Sequence, residues 1–81
     1  MRKISEKVKL TNTAQKDIAE LIINKIWNQM GYREKEILKN LAEVEKNTEV
    51  PSGYIQYWFY DKDGNGFQAG LYANGSYGIS Q

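Results

Sequence analysis

Aromatic residues crowd into the C-terminal third of this chain in a pattern that repeats every two residues. Eight of the ten aromatic residues lie between Tyr54 and Tyr77, in the segments YIQYWFY, FQAGLYA and SYGISQ. A period of two in segments rich in aromatic and branched residues is typical of β-strands. The sequence therefore predicts three antiparallel strands, over 54–60, 67–73 and 76–80.

Turn residues separate these strands. Asn74-Gly75 predicts a two-residue hairpin turn of type I′, because that turn needs positive φ at both central positions. DKDGNG, residues 61–66, predicts a looser first turn. Pairing across the two turns then sets Tyr60 opposite Phe67 and Tyr72 opposite Tyr77. In this register both faces of the sheet carry aromatic rings.

Two stretches before the strands have the spacing of amphipathic helices. Thr11 to Thr13 supplies N-cap residues for a predicted helix over 12–30, and Gly31 is placed to end that helix. A second helix is predicted over 33–47. Its short connection to the first favours an antiparallel αα-hairpin. The apolar residues that recur at spacings of three and four are Ile18, Leu21, Ile22, Ile26 and Met30, then Ile37, Leu38, Leu41 and Val44.

The first ten residues alternate between apolar and lysine-rich positions, which favours an additional edge strand over 2–10. Ile4 and Val8, four residues apart, also fit a helix. The fold class predicted for the chain is α+β, as a single domain over 1–81. In it, an αα-hairpin packs on a three-stranded antiparallel β-meander, with the N-terminal strand as an optional addition.

Composition removes most enzyme chemistry. The chain has no Cys and no His, which excludes disulfides, thiolate nucleophiles, Cys/His zinc sites and acid–base catalysis by His. We expect no enzyme activity, no catalytic residues and no cofactor. Asp61, Asp63, Asn65 and Gly66 match the start of an EF-hand loop, but Tyr72 stands where the bidentate Glu belongs. An ordinary turn rich in Asp, Asn and Gly explains this segment better, so no metal is expected.

No apolar run approaches the roughly 20 residues that span a bilayer, and residues 1–10 lack the apolar stretch of a signal peptide. We therefore expect a cytoplasmic protein with no membrane partner. Asn, Lys, Ile and Tyr are abundant. Since these residues have A/T-rich codons, an AT-rich genome is expected.

The predicted sheet has more aromatic residues than one layer of helices can cover. We therefore expect an exposed aromatic face that binds a protein partner. The anchors would be Tyr57, Tyr72 and Tyr77 on one face, or Tyr54, Trp58 and Tyr60 on the other. The remaining explanation is that the N-terminal strand or the loop at Pro51 covers the second face, or that Tyr side chains lie flat across the sheet.

Two other kinds of function stay open. Aromatic side chains on a sheet can stack on nucleic-acid bases, but such platforms need cations alongside. Segments 54–60 and 64–81 contain no charged residue, and positive charge collects instead at Arg2, Lys3, Lys7 and Lys9. DNA or RNA binding is therefore the less favoured alternative. A structural homodimer whose sheet faces pair with each other is the other.

In size, single-domain character and A/T-rich codon usage, the chain resembles small phage-encoded inhibitors of host defence, anti-CRISPR proteins among them. The resemblance rests on no sequence motif, so no residue roles follow from it. It implies steric blockade of a host enzyme or nuclease complex in the host cytoplasm.

Overall fold

The protein combines two α-helices with one five-stranded mixed sheet, so the predicted α+β class is confirmed. A computed structural model describes residues 3–5, 7–10 and 16–80. The elements are β1 (Lys9–Leu10), α1 (Lys16–Ile26), a 3₁₀ turn (Trp27–Gln29), α2 (Tyr32–Lys39), β2 (Leu41–Asn47), β3 (Ile55–Asp61), β4 (Gly66–Leu71) and β5 (Tyr77–Ser80).

The five strands follow one another across the sheet in chain order. β1 runs parallel to β2, and every later neighbour pair is antiparallel. Of the edge strand predicted over 2–10, only Lys9–Leu10 forms a strand, and the prediction is wrong for residues 3–5, 7 and 8. Its first and central residues, Arg2 and Glu6, lie outside the described residues.

The helix predicted over 33–47 is wrong beyond Lys39, because residues Leu41–Asn47 form β2. Asn40 ends α2, and its backbone N–H donates to the carbonyl oxygens of Glu36 and Ile37, both at 3.2 Å. Beyond Asn40, Val44 is buried between exposed Glu43 and Glu45, which is the alternation of a strand. The sheet therefore has five strands, where three and an optional N-terminal strand were predicted.

The first helix is shorter than the predicted 12–30. The structure shows it over Lys16–Ile26, followed by the 3₁₀ turn, and residues 12–15 lie outside the described part of the chain. The role predicted for Gly31 is wrong. Gly31 has extended backbone angles, φ −85° and ψ −177°, and is the N-cap of α2. Its N–H donates to Oε1 of Glu34 at 3.0 Å, which satisfies a donor at the start of that helix.

Both hairpins close with three-residue loops, so the predicted register is wrong by one residue. The N–H of Asp61 donates to the carbonyl of Asn65, and the N–H of Tyr72 to that of Ser76, each at 2.8 Å. Only the final loop residues, Gly64 and Gly75, have positive φ, 88° and 86°. This is the type I turn followed by a left-handed residue, rather than the type I′ turn predicted at Asn74-Gly75.

The corrected register separates the two faces of the sheet. Phe59 lies opposite Phe67, and Tyr57 opposite Ala69, so the apolar residues of β3 and β4 share one side. Most apolar residues of both helices pack against this side in a single cluster, whereas Ile18 and Leu21, predicted for the apolar stripe of the first helix, are exposed. The fully buried members of the cluster with the largest side chains are Tyr57, Phe59, Phe67, Ile22, Ile26 and Val44.

The N-terminal segment is tied to this core through α1. Ile4 and Val8 are buried in the cluster. Glu20 of α1 is also buried, and its Oε1 accepts a hydrogen bond from the backbone N–H of Ile4 at 2.7 Å. No helix among the described residues has the length and apolar character needed to cross a membrane.

Candidate protein-binding face

The second side of the sheet is the candidate functional site, and we call it the open face. Along β3 and β4, buried residues alternate with partly exposed ones. The buried apolar residues of both helices pack on the other side, so no helix in the described part of the chain covers this one. The open face includes Lys9, Glu43, Glu45, Asn47, Tyr54, Gln56, Trp58, Tyr60, Gly66, Gln68, Gly70, Tyr72 and Gly78.

Four aromatic side chains on the open face form two ring pairs. Trp58 and Tyr60 stack with ring centroids 5.9 Å apart and an angle of 13° between the planes. Tyr54 and Tyr72 meet edge to face, with centroids 6.1 Å apart and an angle of 77°. All four residues are half-buried. Since each ring is supported by another, little side-chain freedom remains to be lost when a partner binds.

Glycine backbone lies beneath two of these rings. A Cβ atom added at Gly66 would lie 2.5 Å from Cδ1 of Tyr60, and one added at Gly78 would lie 2.5 Å from Cε2 of Tyr72. Each ring therefore lies directly on the backbone of the neighbouring strand. A residue other than glycine at that position would place its side chain in the space that the ring occupies. The predicted alternative, in which Tyr side chains lie flat across the sheet, holds for these two rings.

A pair of glutamines lies between the ring pairs. Gln56 follows Tyr54 at the next open-face position of β3, and Trp58 follows Gln56. The Nε2 group of Gln68 donates a hydrogen bond to Oε1 of Gln56 across the two strands. This polar contact adds directional groups to a surface that is otherwise aromatic, as at many protein interfaces.

Carboxylates border the open face on the β2 side. Glu43 lies opposite Tyr60, and Glu45 opposite Trp58. Burial raises the pKa of the Tyr60 hydroxyl, and the negative charges of Glu45 and Glu43 raise that pKa further. On the far side of Glu43, Lys9 is its partner in β1. Strands β4 and β5 carry no charged residue, so the charges of the open face lie on its β2 side.

The structure brings four of the six predicted binding residues together. Tyr54, Trp58, Tyr60 and Tyr72 share the open face, whereas Tyr57 and Tyr77 lie on the helix side. The predicted grouping of Tyr72 with Tyr57 and Tyr77 is wrong, because each three-residue loop shifts its hairpin by one position. Tyr57 is 1% exposed, and burial raises the pKa of its hydroxyl. Tyr77 packs against the core, and its carbonyl accepts from Nε2 of Gln29 at 3.1 Å.

Sequence reasoning missed Glu43 and Glu45 as part of the site. The helix predicted over 33–47 placed both on a solvated helical surface. The sequence signal that could have located them is the run Glu43-Val44-Glu45, in which polar and apolar residues alternate as they do in a half-buried strand. Gln56 and Gln68 carried no signal of their own, because their pairing depends on the register.

The carboxylate of Asp61 serves the first turn. Its Oδ1 accepts from the backbone N–H groups of Asp63 and Asn65, both at 2.9 Å, and its Oδ2 from Nδ2 of Asn65 at 3.3 Å. Desolvation acts to raise the pKa of Asp61, but these hydrogen bonds and the charge of Arg33 lower it overall. Within the described ranges, no group of three or more Asp or Glu residues is placed to hold a metal ion. The hydrogen bonds from Asp63 and Asn65 to the Asp61 carboxylate are those of a turn rich in Asp, Asn and Gly.

Comparison with protein-family models, with curated proteins and with solved structures finds no match to this chain.

Proposed function

We propose that this protein is a small non-enzymatic binding domain that acts by occupying the surface of a protein partner through its open face. The single observation that carries the proposal is the set of four half-buried rings, Tyr54, Trp58, Tyr60 and Tyr72, on the side of the sheet opposite the helices. Tyr and Trp are the residue types that dominate binding energy at protein interfaces.

The charges around the rings indicate what the partner presents. Glu43 and Glu45 lie beside Tyr60 and Trp58, while strands β4 and β5 carry no charged residue. An apolar surface with Lys or Arg at one margin would complement this arrangement, since opposite potentials across an interface set orientation and specificity. The protein's net charge of +1 gives little long-range steering, so local complementarity must supply the selectivity.

The same charges weaken the nucleic-acid alternative. A base-stacking platform needs cations along the path of the phosphates. Here two carboxylates flank the stacked pair of Trp58 and Tyr60, and the two lysines at that border, Lys9 and Lys62, line one concavity with them. The carboxylates would weaken the hold of these lysines on a phosphate backbone.

Steric inhibition is the mode of action that fits a small domain without catalytic groups. The resemblance to phage-encoded inhibitors of host defence supplies a first class of partners to test, the nuclease complexes of CRISPR systems. The open face would cover a surface that such a complex needs for its substrate or for its assembly. The partner would act in the cytoplasm, where both proteins would meet.

The test is capture of a partner by the immobilised protein, repeated with substituted open faces. Trp58→Ala and Tyr72→Ala each remove one member of a ring pair. Tyr32→Ala is the matched control, because Tyr32 lies on α2 and is 81% exposed. The proposal expects one specific partner to be retained by the wild type and the control and lost by both open-face variants. Equal retention by all four proteins would contradict it.

The homodimer alternative has its own measurement. Light scattering over a range of concentrations gives the mass of the protein in solution. A constant mass near the 9.4 kDa of one chain leaves the open face available to a different partner. A dimer that Trp58→Ala dissociates would mean that a second copy occupies the open face.

A further inference from the structure

A groove on the helix side of the molecule is not used by the proposed function. We call it the lysine groove. The N-terminal segment around Ile4 forms one wall and α2 the other, with the 3₁₀ turn between them, and its volume is about 490 Å³. Ligand sites commonly have volumes of roughly 300–1,000 Å³ and are mainly apolar. The apolar lining includes Ile4, Val8, Ile23, Trp27, Leu38 and Leu41.

Among the residues that the structure describes, the charged side chains that line the groove all have the same sign. Lys3 belongs to the N-terminal wall, and Lys35 and Lys39 belong to α2. Lys35 and Lys39 are four residues apart, so they share one face of the helix. None of the three lysines forms an ion pair with a carboxylate that the structure describes. The ion pair seen among the described residues joins Arg33 and Glu34. The groove is therefore apolar inside and cationic at its walls.

One of these lysines is already placed over the apolar lining. The Nζ atom of Lys35 lies 4.9 Å from the ring centroid of Trp27, within the range of a cation–π contact. This contact holds an ammonium group at the apolar wall, where an incoming anion with an apolar body would meet both. A compact anion such as free phosphate would use the lysines and leave the apolar lining in contact with water.

The size of the walls favours a single chain over a folded peptide. The α2 wall has eight residues, which is about 12 Å of helix at 1.5 Å per residue. The anchors of a docked amphipathic helix, at i, i+3 or i+4, and i+7, would span about 10.5 Å at the same rise, so even a two-turn helix would occupy nearly the whole of this wall. One alkyl chain with an anionic end matches a short groove of this volume.

We propose that the lysine groove binds the anion of a single-chain fatty acid, with the alkyl chain against Trp27 and Leu38 and the carboxylate beside Lys35 and Lys39. This assignment is independent of the proposed partner binding, because the groove and the open face lie on opposite sides of the sheet. Fatty-acid binding would stabilise the folded state by an amount that grows with the logarithm of ligand concentration once that concentration exceeds Kd.

The experiment titrates the protein with decanoate below its micelle concentration and with decanol as the uncharged counterpart. Trp58→Phe leaves Trp27 as the only tryptophan, so its fluorescence reports on the groove. We expect a saturable signal with decanoate, and binding at least about tenfold weaker with decanol. Amide chemical shifts should change at Ile4, Val8 and Leu38 but not along β3.

Substitution of the lysines tests the anion contact. Lys35→Gln combined with Lys39→Gln should weaken decanoate binding at least about tenfold while decanol binding stays the same. Lys62→Gln, in the turn between β3 and β4, is the control and should bind decanoate as the wild type does. Binding strengths are compared through midpoints of the titrations, since loss of Lys35 alters the starting fluorescence of Trp27.

In the experiments with decanoate, any of three results would overturn the assignment. These are a signal that does not saturate, equal binding of decanoate and decanol, and decanoate binding that survives loss of both lysines. A fourth result would also overturn the assignment. If an acidic amphipathic peptide binds and needs Lys35 and Lys39, while decanoate does not bind, the groove would be assigned to a protein ligand.

Discussion

Phe59 lies directly opposite Phe67 in the sheet, and their buried rings stack with centroids 5.2 Å apart. Both side chains are completely shielded from solvent. Because strand residues alternate between faces, this pairing places Trp58 and Tyr60 on the other side. The core pair and the open face are therefore two consequences of one register.

Phe67→Ala should destabilise the protein strongly. Truncating a buried phenylalanine costs about 3–5 kcal/mol, and a domain of this length has a total stability of roughly 4–12 kcal/mol at 0.05–0.15 kcal/mol per residue. Urea denaturation followed by circular dichroism measures the loss. Lys62→Ala, an exposed change in the neighbouring turn, should stay within about 0.5 kcal/mol of the wild type. A similar small effect for Phe67→Ala would mean that the register is different.

Gly78→Ala should destabilise the protein only while the Tyr72 ring is present. The new methyl group would meet that ring at Cε2, the Tyr72 hydroxyl and Cζ, which are the closest atoms around the site. In a Tyr72→Ala background the same substitution should become neutral or stabilise by about 0.5–1 kcal/mol, since Gly is costly in a strand. A double-mutant cycle from thermal or urea denaturation measures this coupling. Additive effects of the two substitutions would show that Tyr72 does not lie over Gly78.

The sequence predicted the C-terminal strands well because their residues carry strong local signals. Aromatic residues at alternate positions, bounded by turns rich in Gly, Asp and Asn, are strong local signals for strands. The length of each turn was not encoded as clearly. Asn74-Gly75 fits both a two-residue and a three-residue loop, and one residue of difference moves every side chain of the next strand to the other face.

The error over 33–47 has a similar origin. Leu38, Leu41 and Val44 fit a helical stripe, while Val44 between two glutamates also fits a strand, and a short segment cannot decide between them. Pairing with β3 on one side and β1 on the other decided it in the structure. The sequence therefore indicated that an aromatic face exists, but tertiary pairing determined which rings belong to it and that carboxylates border it.

Glu20 should matter more through its oxygen atom than through its charge. Its Oε1 accepts the N–H of Ile4, sixteen residues away in the chain, and the side chain is buried. Glu20→Ala leaves that N–H without its acceptor, which costs about 1–3 kcal/mol, while Glu20→Gln keeps an oxygen acceptor and should cost less. Hydrogen exchange at the Ile4 amide and urea denaturation measure both effects. Equal losses for the two variants would point to the charge instead.

The pH at which the Tyr60 hydroxyl titrates should depend on the two carboxylates beside it. The pKa of Tyr60 is raised by burial and by Glu45 and Glu43. Stability tied to the neutral hydroxyl is complete below the unfolded pKa of about 10 and is lost as pH rises through the higher folded value. Glu43→Gln with Glu45→Gln should move the Tyr60 midpoint down and lessen the loss of stability at high pH. Ring chemical shifts of Tyr60 against pH measure the midpoint, and an unchanged midpoint would separate the carboxylates from this ring.

The most direct measurement is the dissociation constant of the captured partner for the wild type, Trp58→Ala and Tyr32→Ala. Hot-spot truncations cost about 2 kcal/mol or more, which is roughly a 30-fold loss of affinity. We expect at least that loss for Trp58→Ala, with a folded circular dichroism spectrum and with Tyr32→Ala binding as tightly as the wild type. Wild-type affinity in Trp58→Ala would contradict the assignment of the open face as the binding surface.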